Sequence, residues 1–511
     1  MFARVTSCGL IGIDGYPVTV EADIGAGLPS FDVVGLPDAS VRESRERVRS
    51  AMINSGFPFP QGRVTANLAP ADVKKEGPAF DLPIAIAILL SAGKLPKDCA
   101  NGICLLGELS LDGAVRPVRG ALPMVIACLE KGITTFLLPK GNLQEVKCIQ
   151  GLTVLPVEHL VEATEHLAGR KMIEPAPCED YETLLKSRTP ATDFKYIKGQ
   201  EGAKRALEIA AAGGHNILMI GSPGSGKTLM ARAVPSILPD MTFEEALETT
   251  RIHSAAGTVP ESGLLTERPF RSPHHTASHA SLVGGGANAM PGEISKAHNG
   301  CLFLDELPEY RRDVLEALRQ PLEDGFVTVT RVNAQSTYPA RFILICSMNP
   351  CPCGNLGSRE RACRCSPQEI RRYLNRISGP LLDRIDMHIE VESIPPKDLA
   401  DLKEAEPSSA VRARVEAARA MQRDRYKGTR IRLNSDLDAS TVDKLCRVTE
   451  DARKVLLRAA ENNKFSNRAF TRVLKVARTI ADLAGRDEVI ATDILEAANY
   501  RAIDAKYWEN A

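Results

Sequence analysis

An apolar segment at residues 216–220 leads into a glycine-rich turn and then a helix-forming segment, an order typical of phosphate-binding α/β folds. The turn has the sequence Gly221-Ser222-Pro223-Gly224-Ser225-Gly226-Lys227-Thr228. Its glycines let successive backbone N–H groups point inward around phosphate oxygens, and the following helix adds the positive end of its dipole. We expect Lys227 to reach the β- and γ-phosphates and the Thr228 hydroxyl to bind Mg²⁺. The pattern therefore predicts a P-loop with ATP and Mg²⁺ as its cofactors.

A second apolar segment, at residues 301–304, ends in two acidic residues, Asp305 and Glu306. After a P-loop, such a pair divides the work of hydrolysis between two carboxylates. We expect Asp305 to hold Mg²⁺ through water, and Glu306 to orient and deprotonate the attacking water. A third apolar segment, 342–346, precedes Asn349, whose amide we expect to hydrogen-bond the same water or the γ-phosphate. The three segments together predict nucleotide hydrolysis.

The chain has 511 residues, which is long for one domain, and its composition is that of a globular protein. Residues 1–165 are predicted to form a mixed α/β domain, and residues 166–192 a polar linker that contains prolines. Between 193 and 394, strand-like and helical segments alternate, which predicts a parallel sheet with crossover helices. Residues 395–511 have helical periodicity and are expected to form an all-α lid. The expected lid helices are 411–425, 440–462, 466–484 and 492–505.

One helix of the first domain is defined by its ends. Asp38 fits the N-cap position, and Gly56 fits the stop. The outward face carries three arginines interleaved with two glutamates, which favours a solvated surface over a nucleic-acid contact.

Two arginines, Arg384 and Arg376, fit the cation that neutralises charge on the transferred γ-phosphoryl group. A neighbouring subunit can supply such a cation, which makes hydrolysis depend on assembly. We favour Arg384, and the sequence leaves the choice between the two open. Ser466 is expected to cap a helix with Arg468 in its first turn, which makes Arg468 a further candidate site residue. For each arginine the alternative is a surface ion pair, worth about 0–1 kcal/mol.

Four cysteines lie close together in the sequence, at Cys351, Cys353, Cys363 and Cys365. The glycines between the two pairs allow the loop to turn back and bring four sulfurs to one tetrahedral point. The pattern predicts a structural Zn²⁺ site, with reduced thiols and a redox switch as alternatives. The segment that follows, from Ser366 to Glu369, is a capping box that predicts a helix ending near Ile377.

Charge and cysteine usage restrict the environment and the partners. Lys+Arg and Asp+Glu number 64 each, so any nucleic-acid binding must be local. Thirteen cysteines without a leading apolar segment favour a reducing, cytoplasmic compartment. The most apolar stretch, 82–92, is about half the roughly 20 residues that a membrane span needs. Three histidines, His274, His275 and His279, lack acidic or thiol company, so we expect polar loop or DNA contacts rather than a metal.

The central region resembles the magnesium-chelatase-like AAA+ ATPases, and the whole chain resembles their YifB/ComM branch, which is associated with DNA handling in natural transformation. The most specific segments are 268–279, 284–295 and 378–386. The resemblance implies a helix-2 insert in the first two segments, a pre-sensor-1 hairpin at 327–340, Asn349 as sensor 1 and Arg468 as sensor 2. It further implies a hexameric ring around DNA, with Arg331 near the hairpin tip as a phosphate contact.

The N-terminal region resembles Lon-type protease domains, but without their catalytic residues. Ala79 stands where that pattern has its serine, and Leu122 stands near the position of the partner lysine. Lacking both nucleophile and base, the region is not expected to cleave peptides by that mechanism. A scaffold or DNA-binding ring remains as its expected role.

These features predict a cytoplasmic, ring-forming ATPase that couples hydrolysis to translocation on single-stranded or branched DNA, as a helicase or branch-migration motor. One alternative is a metal-insertion motor like the magnesium chelatase subunit. Another is a chaperone or assembly scaffold.

Overall fold

The computed structural model describes residues 2–186, 192–286, 289–331, 334–358, 361–394, 404–463 and 465–509. In the first of these ranges, seven strands form one mixed sheet. In order across the sheet they are Ser30–Val34, Arg63–Ala69, Asp14–Gly25, Phe2–Ile11, Ile103–Leu105, Thr135–Pro139 and Thr153–Val157. The second, third and fourth of these strands pair antiparallel, and the remaining neighbours pair parallel.

Helices cover this sheet, and the helix predicted after Asp38 is confirmed. It spans Ala39–Asn54, and the Asp38 carboxylate accepts a hydrogen bond of 2.7 Å from the Val41 amide. The helix Asp81–Ser91 is buried along its whole length, as expected of its uninterrupted apolar sequence. Helices Ala121–Glu130 and Leu160–Leu167 complete the region. Ala79 and Leu122 are both buried, so neither lies on an open surface.

The central sheet has five parallel strands among the described residues. Across the sheet they are Phe270–Arg271, Cys301–Leu304, Ile343–Met348, Ile217–Gly221 and Met387–Val391. Successive residues of Ile217–Gly221 enter two different cores, Ile217 and Met219 on one face and Leu218 and Ile220 on the other. Burial on both faces explains why these strands read as continuous apolar segments rather than alternating ones.

Two sets of helices pack against the faces of the central sheet. Glu201–Gly213, Lys227–Ile237 and the C-terminal helices share one core with it, while Phe243–Ala256 belongs to the other side. The C-terminal helices are Ser408–Arg425, Val442–Leu445, Glu450–Asn462, Asn467–Leu483 and Ala491–Asp504. The single helix expected over 440–462 is therefore two helices, separated by a turn in which Arg447 has a φ of +47°.

The segment predicted as a polar linker, 166–192, packs more closely than expected. It contains the helix Tyr181–Lys186, and the Tyr181 hydroxyl donates a 2.9 Å hydrogen bond to the Met241 carbonyl. The Tyr181 ring also lies 5.6 Å from that of Phe243. The segment thus tethers the first region to the second. The expected boundary between the central region and the C-terminal region, at 394–395, falls where residues 395–403 lie outside the described ranges. In the described ranges, every helix is too short or too polar to span a bilayer.

Candidate active site

The glycine-rich turn lies at the carboxyl end of the strand Ile217–Gly221, as predicted. Gly226 has a φ of +89°, a left-handed conformation that favours glycine, and the helix begins at Lys227. The Lys227 ammonium folds back on its own loop, where it donates to the carbonyls of Gly221 at 2.7 Å and Ser222 at 2.9 Å. Burial lowers the pKa of Lys227 to about 8, against the opposing effect of nearby Asp305 and Glu306.

Asp305 collects hydroxyl groups from two neighbouring elements. The Thr228 hydroxyl donates to one carboxylate oxygen at 3.0 Å, and the Ser347 hydroxyl donates to the other. These side chains meet because the carboxyl ends of three adjacent parallel strands share one edge of the sheet. Hydroxyl and carboxylate oxygens are the hard ligands that Mg²⁺ prefers, so Thr228 and Asp305 fit this ion.

Glu306 follows Asp305 in a strained conformation. Its φ is +53°, unusual for a residue with a side chain, and its amide donates to the Asp305 carboxylate at 3.1 Å. Strain of this kind persists where the surrounding structure enforces it, often at functional sites. The Glu306 side chain is 54% exposed, so water can reach the carboxylate. One of its oxygens lies 3.6 Å from His275 Nδ1.

Asn349 lies one residue beyond the strand Ile343–Met348, which runs further than the predicted 342–346. Among the described contacts, Ser347 rather than Asn349 hydrogen-bonds to Asp305. The backbone of Asn349 hydrogen-bonds with the Tyr373 hydroxyl. Asn349 is therefore near the predicted place, but a residue that we did not single out makes the contact with the carboxylate.

Gln200 is a second residue that sequence reasoning missed. It has a φ of +57°, and its side-chain amide donates to the carbonyls of Glu392 at 2.6 Å and Ser225 at 3.4 Å. These contacts join the P-loop to the end of the strand Met387–Val391. The pair Gly199-Gln200 just before a helix was the available signal, since glycine there marks a turn of special backbone geometry.

The four cysteines form one cluster, as their spacing predicts. All four sulfurs lie within 4.8 Å of one another, and the Sγ–Sγ distances are 3.4 Å for Cys351–Cys353, 3.7 Å for Cys351–Cys363 and 3.7 Å for Cys353–Cys363. Four sulfurs bound at ~2.3 Å to one tetrahedral ion lie about 3.8 Å apart, so the cluster can bind a metal. Backbone hydrogen bonds from Arg364 and Asn355 lower the pKa of the Cys353 thiol to about 6.

The cysteine loop touches the P-loop. Gly354 has a φ of +78°, and a Cβ atom added there would lie 2.5 Å from Pro223 Cδ. The loop continues into the predicted capping box, in which Ser366 and Glu369 hydrogen-bond to each other's backbone amides. The helix that follows, Pro367–Leu374, ends three residues before the expected Ile377. The cysteine cluster therefore braces the nucleotide site from the side of Asn349.

The two candidate arginines occupy different ends of the sheet. Arg376 pairs with Glu309 at 2.8 Å, three residues beyond Glu306. Arg384 is buried, forms an ion pair with Glu323 and donates to the Pro380 carbonyl at 2.7 Å. Its own carbonyl accepts from Asn216, which immediately precedes the P-loop strand. Arg384 is thus at the amino edge, opposite the P-loop.

Arg468 lies on the same side as Arg384. Ser466 caps its helix as predicted, and the Arg468 guanidinium lies 3.7 Å from the Asp383 carboxylate with 63% of its side chain exposed. Arg384 and Arg468 both line a cavity of about 1230 Å³ at the amino ends of the strands.

The predicted hairpin is confirmed as the paired strands Phe326–Arg331 and Ala334–Pro339. The side chain of Arg331 is outside the part that the structure describes, so its expected DNA contact stays a prediction. His274 donates to or accepts from Thr276 at 2.8 Å within its own loop. In the described ranges the cysteine cluster is the one group in which three or more possible metal ligands lie close together.

Three family models match the chain. They are described as "Magnesium chelatase, subunit ChlI" over residues 193–399, "Subunit ChlI of Mg-chelatase" over 20–142, and "Magnesium chelatase, subunit ChlI C-terminal" over 405–501. Together they cover each of the three regions described above.

Similar proteins extend over nearly the whole chain. The YifB protein of Escherichia coli is 44% identical over 496 residues, covering 97% of this chain and 96% of that protein. The competence protein ComM of Haemophilus influenzae is 41% identical over 503 residues, covering 98% of this chain and 97% of that protein. The chloroplastic magnesium-chelatase subunit ChlI-2 of Arabidopsis thaliana is 25% identical over 341 residues, covering 60% of this chain and 73% of that protein.

Proposed function

The chain belongs to the YifB/ComM group of the magnesium-chelatase-like AAA+ ATPase family, and from this premise we propose that it is a ring-forming motor driving translocation on DNA. The observation that carries the proposal is the meeting of Thr228, Asp305 and Glu306 beside a P-loop. The similarity to a protein named for competence, the uptake of DNA, supports DNA as the partner. The specific activity that we propose is helicase or branch migration in recombination or natural transformation.

Each residue of the site has a distinct part in the proposed hydrolysis. Backbone amides of the P-loop and Lys227 hold the phosphates, while Thr228 and Asp305 hold Mg²⁺. The ion, when bound, neutralises charge on the β- and γ-phosphate oxygens. Glu306 accepts a proton from the attacking water. The oxygen of that water bonds to the γ-phosphorus while the bond between the γ-phosphorus and the leaving ADP oxygen breaks. Asn349 is proposed to position the γ-phosphate. Ser347 positions Asp305, to which its hydroxyl is hydrogen-bonded.

The proposed ring completes the site with groups from a neighbouring subunit. Arg384 and Arg468 lie at the amino edge of the sheet, and the P-loop lies at the other end of the five-residue strand Ile217–Gly221. In a ring, we place this edge against the next subunit's nucleotide, with a hexamer as the assembly. Arg384 then supplies the cation that stabilises the charge on the γ-phosphoryl group.

DNA is proposed to pass through the centre of the ring, where the hairpin and the insert project. The chain has equal numbers of acidic and basic residues, 64 each, so we expect a few contacts per subunit rather than a broad basic surface. Binding that depends on encirclement and few phosphate contacts has a modest salt dependence per protomer. Arg331 is one such proposed contact.

Zn²⁺ is the ion that we propose for the cysteine cluster. Four thiolates in tetrahedral arrangement leave no open position, which is typical of a structural rather than a catalytic zinc. The ion is proposed to stiffen the cysteine loop, which packs against the P-loop through the contact between Gly354 and Pro223.

Hydrolysis and strand separation on defined DNA test the proposal. ATP turnover should rise with single-stranded or branched DNA, and forked or three-stranded substrates should be separated only when ATP is present. The Glu306→Gln variant, which keeps the shape of the side chain without its basicity, serves as the inactive control. Turnover that no DNA changes, together with no strand separation, would rule out a DNA motor.

The matches to magnesium chelatase favour one alternative, a motor for metal insertion into a porphyrin. That function predicts stimulation of ATP turnover by a porphyrin together with chelatase partner subunits, and indifference to DNA. Both outcomes are read from the same turnover assay.

A further inference from the structure

The insert loop brings a histidine to the proposed catalytic base. His275 Nδ1 lies 3.6 Å from a carboxylate oxygen of Glu306, within ion-pair distance. The topology explains the approach: the short strand Phe270–Arg271 pairs parallel with Cys301–Leu304, so both chains leave the sheet at the same edge. His275 comes four residues after the first strand and Glu306 two residues after the second.

Both partners of this pair are anchored to the same tyrosine. The Tyr310 hydroxyl donates a 2.5 Å hydrogen bond to the Pro273 carbonyl, two residues before His275. The His275 ring also packs edge-on to the Tyr310 ring, with centroids 6.4 Å apart. Tyr310 is buried and ends the short turn that begins after Glu306. Tyr310 therefore holds the loop of His275 next to the turn that follows Glu306, with the His275 imidazole close to the Glu306 carboxylate.

We propose that His275 is a positioning residue, which holds the Glu306 carboxylate in the direction of the attacking water and makes the insert part of the hydrolysis machinery. This inference rests on the proposed role of Glu306 as the base. In this role His275 links the insert to the rate of ATP hydrolysis, because any movement of the loop displaces the imidazole that orients Glu306. A small misplacement of a reacting group is enough to reduce a rate strongly.

The His275 side chain is about one third exposed and the Glu306 side chain about half exposed. A contact between such exposed side chains contributes little to the free energy of folding. The His275→Ala variant should therefore fold and bind ATP as the native protein does. We expect kcat to fall about tenfold with KM for ATP unchanged, as for a group whose contribution is made in the transition state. His275→Asn places an amide nitrogen near the position of Nδ1 and should restore kcat to within about threefold of the native value.

Glu261→Ala is the control, because Glu261 is exposed in the loop that follows the helix Phe243–Ala256 and belongs to no part of the described site. Its kcat should equal that of the native protein. A tenfold loss with His275→Ala, rescued by asparagine, supports the proposal. Unchanged kcat for His275→Ala overturns it.

A double-mutant cycle distinguishes positioning of Glu306 from any other effect of the loop. In the Glu306→Gln background, single-turnover hydrolysis of radiolabelled ATP resolves the residual rate, and adding His275→Ala should lower it no further. A second tenfold loss in that background overturns the inference. If Glu306→Gln itself retains native turnover, the proposed base is wrong, and the role of His275 falls with it; loss with Glu306→Gln but not with His275→Ala removes only the inference.

Discussion

The two edges of the central sheet differ in what they hold. The carboxyl edge has the P-loop with Lys227 and the hydrogen-bonded pair of Thr228 and Asp305, the residues proposed to hold phosphate and Mg²⁺. The amino edge has a wide cavity with Arg384 and Arg468 and none of the P-loop residues among its described lining. The favoured arginine, Arg384, therefore lies at the edge of the sheet opposite the P-loop of its own chain. This difference is the reason for proposing that two copies of the chain complement each other in a ring.

The largest expected effect comes from removing the lysine of the carboxyl edge. Lys227→Ala should weaken ATP binding about 100-fold and lower turnover about 100-fold more, since it removes the P-loop cation that we propose to bind the phosphates. Fluorescent-nucleotide titration and phosphate release measure the two effects. Lys195→Ala, which removes a half-buried lysine whose ammonium lies 4.9 Å from the centre of the Tyr196 ring, is the control and should change neither. Native turnover by Lys227→Ala would remove the phosphate site from this edge.

The next effect separates the two edges. Arg384→Ala should leave ATP affinity unchanged and lower turnover about 1000-fold, because its cation acts on the transition state of a neighbouring site. Arg376→Ala breaks an exposed pair with Glu309 on the carboxyl edge and should cost no more than about threefold. The reverse order of the two losses would assign the finger to Arg376 and leave the amino edge without a catalytic role.

The cysteine cluster lies beside the carboxyl edge, where its loop packs against the P-loop. Protein purified without chelator should carry one zinc ion per chain by elemental analysis, and Cys353→Ser should lose it. Because the cysteine loop packs against Pro223, the same variant should weaken ATP binding about tenfold. Cys178→Ser is the control, since Cys178 is exposed and distant in sequence from the cluster. Absence of metal from the native protein would defeat the zinc proposal.

The smallest effect is a pH dependence confined to the carboxyl edge. The pKa of Lys227 is lowered to about 8 by burial, and bound phosphates favour its charged form and raise that pKa. ATP binding then takes up a proton above pH 8, so affinity is constant below pH 7 and falls as pH rises. Between pH 7 and 8.5 the loss should be about fourfold. Lys227→Arg, which stays charged, should not show it; an equal loss in that variant would point to another titrating group.

Much of the central sheet could be predicted from sequence because its strands are buried on both faces. The segments ending at Ile220, Leu304 and Cys346 are continuous apolar runs followed by the candidate site residues. The two further strands of the central sheet, Phe270–Arg271 and Met387–Val391, were not singled out from the sequence. Phe270–Arg271 has two residues and no pattern of its own, and its place depends on pairing with Cys301–Leu304. Strand pairing of this kind is a tertiary property that a local reading of the sequence does not contain.

Contacts within the site were predicted less well than the residues that make them. Ser347 and Asn349 are two apart, so an extended backbone directs both to the same side, and only the observed strand end shows that Ser347 meets Asp305. The approach of His275 to Glu306 and of Gly354 to Pro223 each depends on the path of a loop. Spacing in the sequence was sufficient for the four cysteines because all of them lie within one short loop.

Mixed rings test most directly the claim that the two edges complement each other. Lys227→Ala subunits keep an intact amino edge, and Arg384→Ala subunits keep an intact P-loop, so each variant is inactive alone for a different reason. In rings co-purified with two affinity tags at equal amounts, one neighbour order in four joins an intact P-loop to an intact Arg384, and turnover should recover to about a quarter of the native rate. Turnover no higher than the sum of the two variants would contradict a site shared between subunits.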